Sequence, residues 1–597
     1  MSANIPRPEY PRPQFVREDW LCLNGEWQFE LDPGDSGLAR GLVERELKER
    51  IIVPFCPESA LSGIGNVDWL HAVWYRRTVL IPPAWQGKDV LLHFQAVDYD
   101  ATVWVNGVEA ARHRGGYTPF TCELAGIARP GEVATIVVRA RDGQAGPKPS
   151  GKQSPRFENY GCMYTRTTGI WQTVWMEPVP ALRLGRPRIT PDVSRGLFHL
   201  QVPVGATPGA QPGAKLGAAV RVDGEIIAKA TVRLGLDLNP SLDLPIPEGR
   251  RRLWRPGDPF LYDLELAVAD ADGVIVDRAT SYAGLRGISI EGQAVNLNGQ
   301  PLFQRLVLDQ GFYPDGIYTA PTDEALRRDI ELSLAAGFNG ARLHQKVFEE
   351  RFLYHADRLG YLVWGEFPDW GCNGFGPDGD NQQPGATYIP QWLEALERDY
   401  SHPAIVGWCP LNETWQLLTD KITALDDVTR GLFLATKALD QTRPALDASG
   451  YAHRVPEADV YDSHNYEQDP AKFAALMAPL VEGKPYLNAR NGQPISIPYR
   501  GQPYFCSEFG GTWWNPDARA GEASWGYGDR PATLDEFYAR FAALCNTLLD
   551  NPRMFGYCYT QLTDVFQEQN GIYRFDRRPK FDAARLAAIQ GRKAAIE

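Results

Sequence analysis

Short apolar runs separated by Gly, Pro, Asn and Asp fill residues 1–180, as in Val90-Leu91-Leu92-His93-Phe94 and Ala101-Thr102-Val103-Trp104-Val105. The second run is followed by Asn106-Gly107, a pair that tolerates the positive φ of a type I′ turn and so predicts a hairpin. This segment reads as a β-sandwich. Residues 181–287 keep the same rhythm, with Gly217 to Val222 before Asp223-Gly224 and Leu261 to Leu266 before Asp272-Gly273. Their length, roughly 100 residues, fits one immunoglobulin-like sandwich. The stretch Gly205 to Gly213 is rich in Gly, Pro and Ala and predicts an exposed loop, because nothing in it could pack.

From residue 288 the pattern changes to β-rich runs alternating with helical stripes, the sequence form of βα units around a parallel sheet. Leu534, Phe537, Phe541, Leu544 and Leu548 share one helical face, and Thr533 with Glu536 predicts a capping box before them. A second helix is predicted over Asp323–Ala336, with Thr322 as N-cap and Gly337 as its stop. Strands are predicted at Gly340–His344, Leu362–Glu366, Ile405–Cys409, Pro503–Glu508 and Phe555–Gln561. The 310 residues from 288 to 597 accommodate a (β/α)₈ barrel, which needs about 250.

The 597-residue chain carries 61 basic and 74 acidic side chains, a formal charge of -13. That sign opposes binding driven by phosphate neutralisation, so nucleic acid is not an expected partner. With 17 Trp, 25 Tyr and 25 Phe the chain is rich in flat faces that suit sugar rings and core packing alike. Nine scattered Cys form no C-x-x-C pair, which argues against a disulfide framework or a zinc site. No signal-like N-terminus and no run of roughly 18 apolar residues is present, so a soluble cytoplasmic protein without a membrane partner is expected.

In a barrel of this kind reactive groups sit at the C-terminal ends of strands. Two carboxylates meet that condition: Glu413, ending Ile405 to Glu413, and Glu508, ending Pro503 to Glu508. Apolar flanking residues favour the raised pKa that a general acid needs, although a strand-end Glu is also a common salt-bridge partner.

Leu23-Asn24-Gly25-Glu26-Trp27, Trp74-Tyr75-Arg76-Arg77, Val105-Asn106-Gly107, Gly115 to Phe120 and Thr168-Gly169-Ile170-Trp171-Gln172 occur in the first segment. Pro259-Phe260-Leu261-Tyr262, Gly284-Leu285-Arg286 and Leu297-Asn298-Gly299 follow, then Asn412-Glu413 and Ser507-Glu508-Phe509-Gly510-Gly511. In this order the motifs resemble glycoside hydrolase family 2, which contains β-galactosidases, β-glucuronidases and β-mannosidases. The resemblance implies an N-terminal jelly-roll sandwich (1–180), an immunoglobulin-like sandwich (181–287) and a catalytic barrel (288–597). It also implies a retaining exo-glycosidase with Glu508 as nucleophile, Glu413 as acid/base and Asn412 on the neighbouring sugar hydroxyl. Arg342 would orient the nucleophile, and His464 and Tyr466 would stand beside it. His344, at Arg-x-His rather than the family's Arg-x-x-His spacing, reads either as a site residue or as a core histidine. Asp309, Glu366 and Trp370 read as pocket-lining or structural. Tyr559, Gln561, Asp564 and Gln567 to Asn570 would form the last strand and its loop, one wall of the sugar site.

Family members that bind glucuronate carry an Asn-x-Lys pair after the last strand, where this chain has Asn570-Gly571-Ile572. The departure implies a neutral terminal sugar, β-galactoside first. An α-L-arabinofuranosidase or β-galactofuranosidase stands next, then a β-glucuronidase or β-mannosidase. Glu366-Phe367-Pro368 lacks the Glu-x-His metal pair of the large β-galactosidases, so no metal or other cofactor is expected. A glycoside or oligosaccharide is the expected partner, and homo-oligomerisation stays open. Two rival classes are a non-catalytic carbohydrate-binding protein and a Ser/His/Asp hydrolase, the latter without a G-x-S-x-G elbow.

Overall fold

The computed structural model describes residues 5–143, 147–206, 213–370, 385–518 and 523–597. Residues 207–212 of the predicted loop, together with Gly371 and Cys372, lie outside the described residues.

The first sandwich sets a six-stranded sheet against a four-stranded one. The larger sheet runs Glu49–Val53, Gly25–Leu31, Ala72–Leu80, Val133–Arg141, Asp100–Val105, Val108–Arg114, and the smaller Leu21–Cys22, Val174–Val179, Asp89–Phe94, Phe120–Glu123. Alternate residues of both sheets, among them Trp27, Phe29, Val103, Leu92 and Met176, are buried between them, as period-two patterning requires. Asn106 at φ +51° and Gly107 at φ +80° make the predicted I′ hairpin. The second sandwich pairs a three-stranded with a four-stranded sheet over its own core, including Phe198, Leu216, Leu244 and Leu264. Its Asp223-Gly224 hairpin also forms, with both residues at positive φ. At Asp272-Gly273 only Gly273 has positive φ, and the ladder slips between Val268 and Ala269, so the turn there is wider than two residues.

The last segment is a curled parallel sheet of seven strands: β1 (Gln304–Asp309), β2 (Gly340–Leu343), β3 (Leu362–Glu366), β4 (Ile405–Cys409), β5 (Tyr461–Asn465), β6 (Tyr504–Gly510) and β7 (Met554–Thr560). Their order is β4-β3-β2-β1-β7-β6-β5. Residues 445–449 close the gap between β4 and β5. They make isolated parallel bridges from Ala445 to Trp408 and from Ser449 to Asn412, and Ser449 Oγ donates to Asp462 Oδ2 on β5 at 2.6 Å. The barrel therefore closes through an irregular eighth wall, as a TIM-type barrel.

Among the described residues seven α-helices surround it, one after each named strand: α1 (Asp323–Ala335), α2 (Glu350–Leu359), α3 (Tyr388–Asp399), α4 (Ala424–Leu439), α5 (Pro470–Met477), α6 (Leu534–Leu549) and α7 (Ala583–Gln590). Thr322 caps α1 by accepting from Ala325 N. The predicted capping box of α6 is only half formed. Thr533 accepts from Glu536 N, but the Glu536 carboxylate turns to Ala532 N at 2.6 Å, one residue early. Leu534 is exposed, so the buried stripe of α6 begins at Phe537.

The jelly-roll segment 150–171 is pressed onto the C-terminal mouth of the barrel. Ser150 N donates to Trp370 O at 2.7 Å, and Gln567 Nε2 donates to Gly161 O at 2.8 Å. Thr319 Oγ1 donates to Trp171 O at 2.6 Å. Loop residues of one domain thus complete the rim of another.

Candidate active site

Glu508 lies in β6, where the pairing with β7 slips between Cys506 and Phe509. Irregularities of this kind re-aim a side chain at the rim of a barrel. Glu413 follows β4 and holds φ +51°, a left-handed backbone that Glu adopts at a cost, fixed here by Glu413 N donating to Ser449 O at 2.9 Å. The two carboxylates converge with His464: one ligating atom from each of Glu413, His464 and Glu508 lies within 4.8 Å of the others.

Arg342, fully buried on β2, organises the floor. Its Nη1 donates to Ser507 O at 2.7 Å and to Glu508 Oε1 at 3.2 Å, and its Nη2 donates to Glu366 Oε2 at 2.7 Å and to Asn412 Oδ1 at 2.8 Å. Burial would raise the Glu366 carboxyl, but Arg342 and His344 outweigh it and bring it down to about 2. Glu508 is held below the usual carboxylate range in the same way: burial opposes ionisation, while His464, His344, Arg342 and the Tyr466 hydroxyl favour it. Tyr466 donates a very short hydrogen bond to Glu508, and its ring stacks on Tyr527 with centroids 3.5 Å apart.

His464 Nδ1 stands 2.6 Å from Glu413 Oε1 and 3.5 Å from Glu508 Oε2. Burial would lower its pKa, but the two carboxylates raise it above the ordinary histidine value. Its Nε2 meets Ser449 Oγ at 3.1 Å, Ser449 donates to Asp462, and Asp462 in turn lies 3.1 Å from His453 Nε2. Gly450, at φ +82°, backs this imidazole: a Cβ there would come within 2.5 Å of the ring. The imidazole thus stands between the two carboxylates, within hydrogen-bond reach of Glu413.

The structure therefore brings Asn412, Glu413, Arg342, His344, Glu366, His464, Tyr466 and Glu508 together. His344 Nδ1 is 2.9 Å from Glu366 and 3.9 Å from Glu508, which places it in the site. Trp370 closes one side, its Nε1 donating to Asn412 O at 2.7 Å. Gln561 joins a polar wall, accepting from Gln310 Nε2 at 2.6 Å and donating to Asn570 Oδ1 at 2.8 Å.

Three of the candidates point away from the carboxylate pair, and for Asp309 this decides between the lining and the structural reading in favour of the latter. The Tyr559 ring packs against Phe338, Phe509 and Phe541, between β7 and the helices, because strand alternation turns it outward. Asp309 ends β1 but accepts from Gly311 N at 2.9 Å, and its electrostatic neighbours are Asp329, Arg577 and Lys346. Burial together with the Asp329 charge pushes it up to about 7. Among the described residues no hydrogen bond or ion pair links it to the carboxylate pair. Asp564 likewise pairs with Lys580 at 2.7 Å.

Sequence reasoning missed Lys152, Cys162 and Tyr164 of the jelly-roll segment. It also missed Asp369, which accepts from Asn412 N and Gln345 Nε2 and is pushed by burial up to about 8. Their signal is three-dimensional, since each reaches the site from a loop without periodicity. An open groove of about 630 Å³ on the seam of the second sandwich and the barrel is lined by Arg251, Arg252, Arg255 and Asp258 among others. It offers one carboxylate and hence no acid–nucleophile pair.

Residues 64–147 match the model for "Glycosyl hydrolases family 2, sugar binding domain", and residues 186–286 match "Glycosyl hydrolases family 2". A β-glucuronidase of Paenibacillus borealis is 26% identical over 459 residues, covering 73% of this chain and 74% of its own. A β-glucuronidase of Bacteroides fragilis is 24% identical over 530 residues, covering 84% and 72%. The crystal structure of Ruminococcus gnavus β-glucuronidase in complex with uronic isofagomine superposes with a TM-score of 0.77 at 18% identity, over 99% of each chain. Two sandwiches ahead of a barrel, a carboxylate pair at the barrel mouth and matches through both sandwiches lead to one assignment: residues 64–147 and 186–286 match glycoside hydrolase family 2, and the chain is a glycoside hydrolase.

Proposed function

We propose that the chain is a retaining exo-glycosidase that removes a terminal β-linked sugar by double displacement. The observation that carries this reading is the approach of Glu413 and Glu508 to within 4.8 Å. Retaining enzymes set the pair ~5–5.5 Å apart, whereas inverting enzymes leave roughly 6.5–9.5 Å for a water.

Glu508, ionised by its cationic and hydroxyl neighbours, attacks the anomeric carbon as the bond to the leaving oxygen breaks and that oxygen takes a proton from Glu413. In the second step Glu413 removes a proton from water, the water oxygen attacks the same carbon, and Glu508 departs as a carboxylate. His464 Nδ1, 2.6 Å from Glu413 Oε1, sits beside the group that moves a proton in both steps. Asn412 Nδ2 has no acceptor among the described residues and is the donor available to the hydroxyl beside the anomeric carbon. Arg342 anchors Glu508 by a charge-assisted hydrogen bond. The jelly-roll segment across the barrel mouth supports exo action, since it walls off one side of the site.

The sugar itself turns on where a cation stands. A neutral galactoside is supported by buried, apolar Ile572 and by the wall of Gln310, Gln561 and Asn570, whose amides bond one another and Glu568 and include no cation. An acidic sugar is supported by the relatives from Paenibacillus borealis and Bacteroides fragilis, both β-glucuronidases. Incubation with activated 2-deoxy-2-fluoro-β-galactoside and β-glucuronide tests the mechanism. The expected result is a stoichiometric sugar adduct on the peptide containing Ser507-Glu508-Phe509; an adduct on another peptide would reject Glu508 as nucleophile.

A further inference from the structure

A lysine from the jelly-roll domain reaches the barrel mouth. Lys152 is only 7% exposed, and its carbonyl accepts from Tyr164 N at 2.8 Å. The preceding residues pin it to the barrel: Ser150 N donates to Trp370 O at 2.7 Å and Gly151 N donates to Pro368 O at 3.1 Å. Gly151 has φ +57°, and a Cβ on it would lie 2.2 Å from Gln345 O, so the approach depends on glycine at this position. Lys152 Nζ rests 5.1 Å from the centroid of the Trp370 ring, whose indole N–H is bonded to Asn412 O.

Among the described residues this ammonium has no hydrogen-bond acceptor and no carboxylate within ion-pair distance. Burial disfavours its charge, yet Cys162, Glu568, Glu508 and Glu413 outweigh burial and keep it protonated. Glu568 is itself engaged, accepting from the Tyr164 hydroxyl and from Asn570 Nδ2. With no protein acceptor among the described residues, the protons of this ammonium are open to a ligand at the barrel mouth, and an oxygen anion is the group that takes them best. The barrel loop supplies no such charge, because Ile572 occupies it and is 1% exposed.

We propose that Lys152 is a specificity-determining residue whose ammonium receives the carboxylate of the terminal sugar, so that the preferred substrate class is a glycosiduronic acid. The inference rests on the exo-glycosidase reading above for the pose of the sugar, and it revises the neutral-sugar expectation. The cation comes from the sandwich domain instead of the barrel.

Calorimetric binding of uronic isofagomine and of isofagomine, which differ in carboxylate against hydroxymethyl, to wild type, Lys152→Met and Lys152→Arg tests it without turnover. Wild type is expected to favour the uronic form by roughly 10- to 100-fold, the scale of one charged hydrogen bond. Lys152→Met should erase that preference while keeping affinity for isofagomine, and Lys152→Arg should retain part of it. Equal or tighter wild-type binding of isofagomine overturns the proposal, and so does an unchanged preference in Lys152→Met. The wild-type comparison decides even if the Met variant fails to fold. A failed Glu508 adduct with the uronic preference intact would sink the mechanism and spare the role of Lys152.

Discussion

Glu508→Ala is expected to lower kcat/KM for an aryl glycoside substrate by at least about 10⁴-fold, the scale seen when a group that acts only in the transition state is removed. Sodium azide should restore turnover and release a glycosyl azide of inverted configuration, because the small anion fills the space left by the carboxylate and attacks the same face. Glu366 remains in that variant to balance Arg342 at 2.7 Å, so the barrel should keep its far-UV circular dichroism. Residual activity within about tenfold of wild type, or azide without effect, would mean that the nucleophile lies elsewhere.

Arg342→Met is expected to act on stability and chemistry together. The guanidinium joins Glu366, Glu508, Asn412 and the Ser507 carbonyl, and its side chain is wholly buried. Its loss takes the permanent cation from two buried carboxylates and leaves them only the neighbouring histidines, which costs up to about 3–5 kcal/mol. The urea midpoint of the barrel should fall accordingly. The Glu508 carboxyl, no longer held down by the cation, should rise and draw the acid limb of the kcat/KM profile to higher pH. An Arg342→Lys variant should recover stability better than activity, because one ammonium cannot serve four acceptors in the fixed fork that guanidinium provides. An unchanged acid limb in Arg342→Met would show that Arg342 does not set the ionisation of Glu508.

What could be read in the sequence depended on how local the determining physics is. Asn106-Gly107 and Asp223-Gly224 announced their hairpins because the required positive φ belongs to those residues themselves. Strands β3 and β4 were legible end to end, since Leu362–Glu366 and Ile405–Cys409 are apolar on both faces as buried parallel strands are. Residues 445–449 were not, because Ala-Leu-Asp-Ala-Ser carries little strand propensity and pairs only through bridges made possible by its neighbours.

The carboxylate pair and its immediate partners were legible through motifs at strand ends. Tyr559 was misplaced, and Asp309 was left open between lining and structure, for a different reason: which side of a barrel strand faces the centre is fixed by register and tilt, not by composition. Lys152 gave no local sign, since Ser150-Gly151-Lys152-Gln153 reads as an ordinary loop and its importance comes from contact with Pro368 and Trp370 more than two hundred positions away.

The central claim is that Glu413 and Glu508 work as a retaining pair. Proton NMR of the first sugar released by the wild-type enzyme from an aryl β-glycoside tests this directly, before mutarotation scrambles the anomers. The account predicts that the β-anomer appears first and the α-anomer grows in later; an α-anomer formed first would show single displacement by water and contradict it.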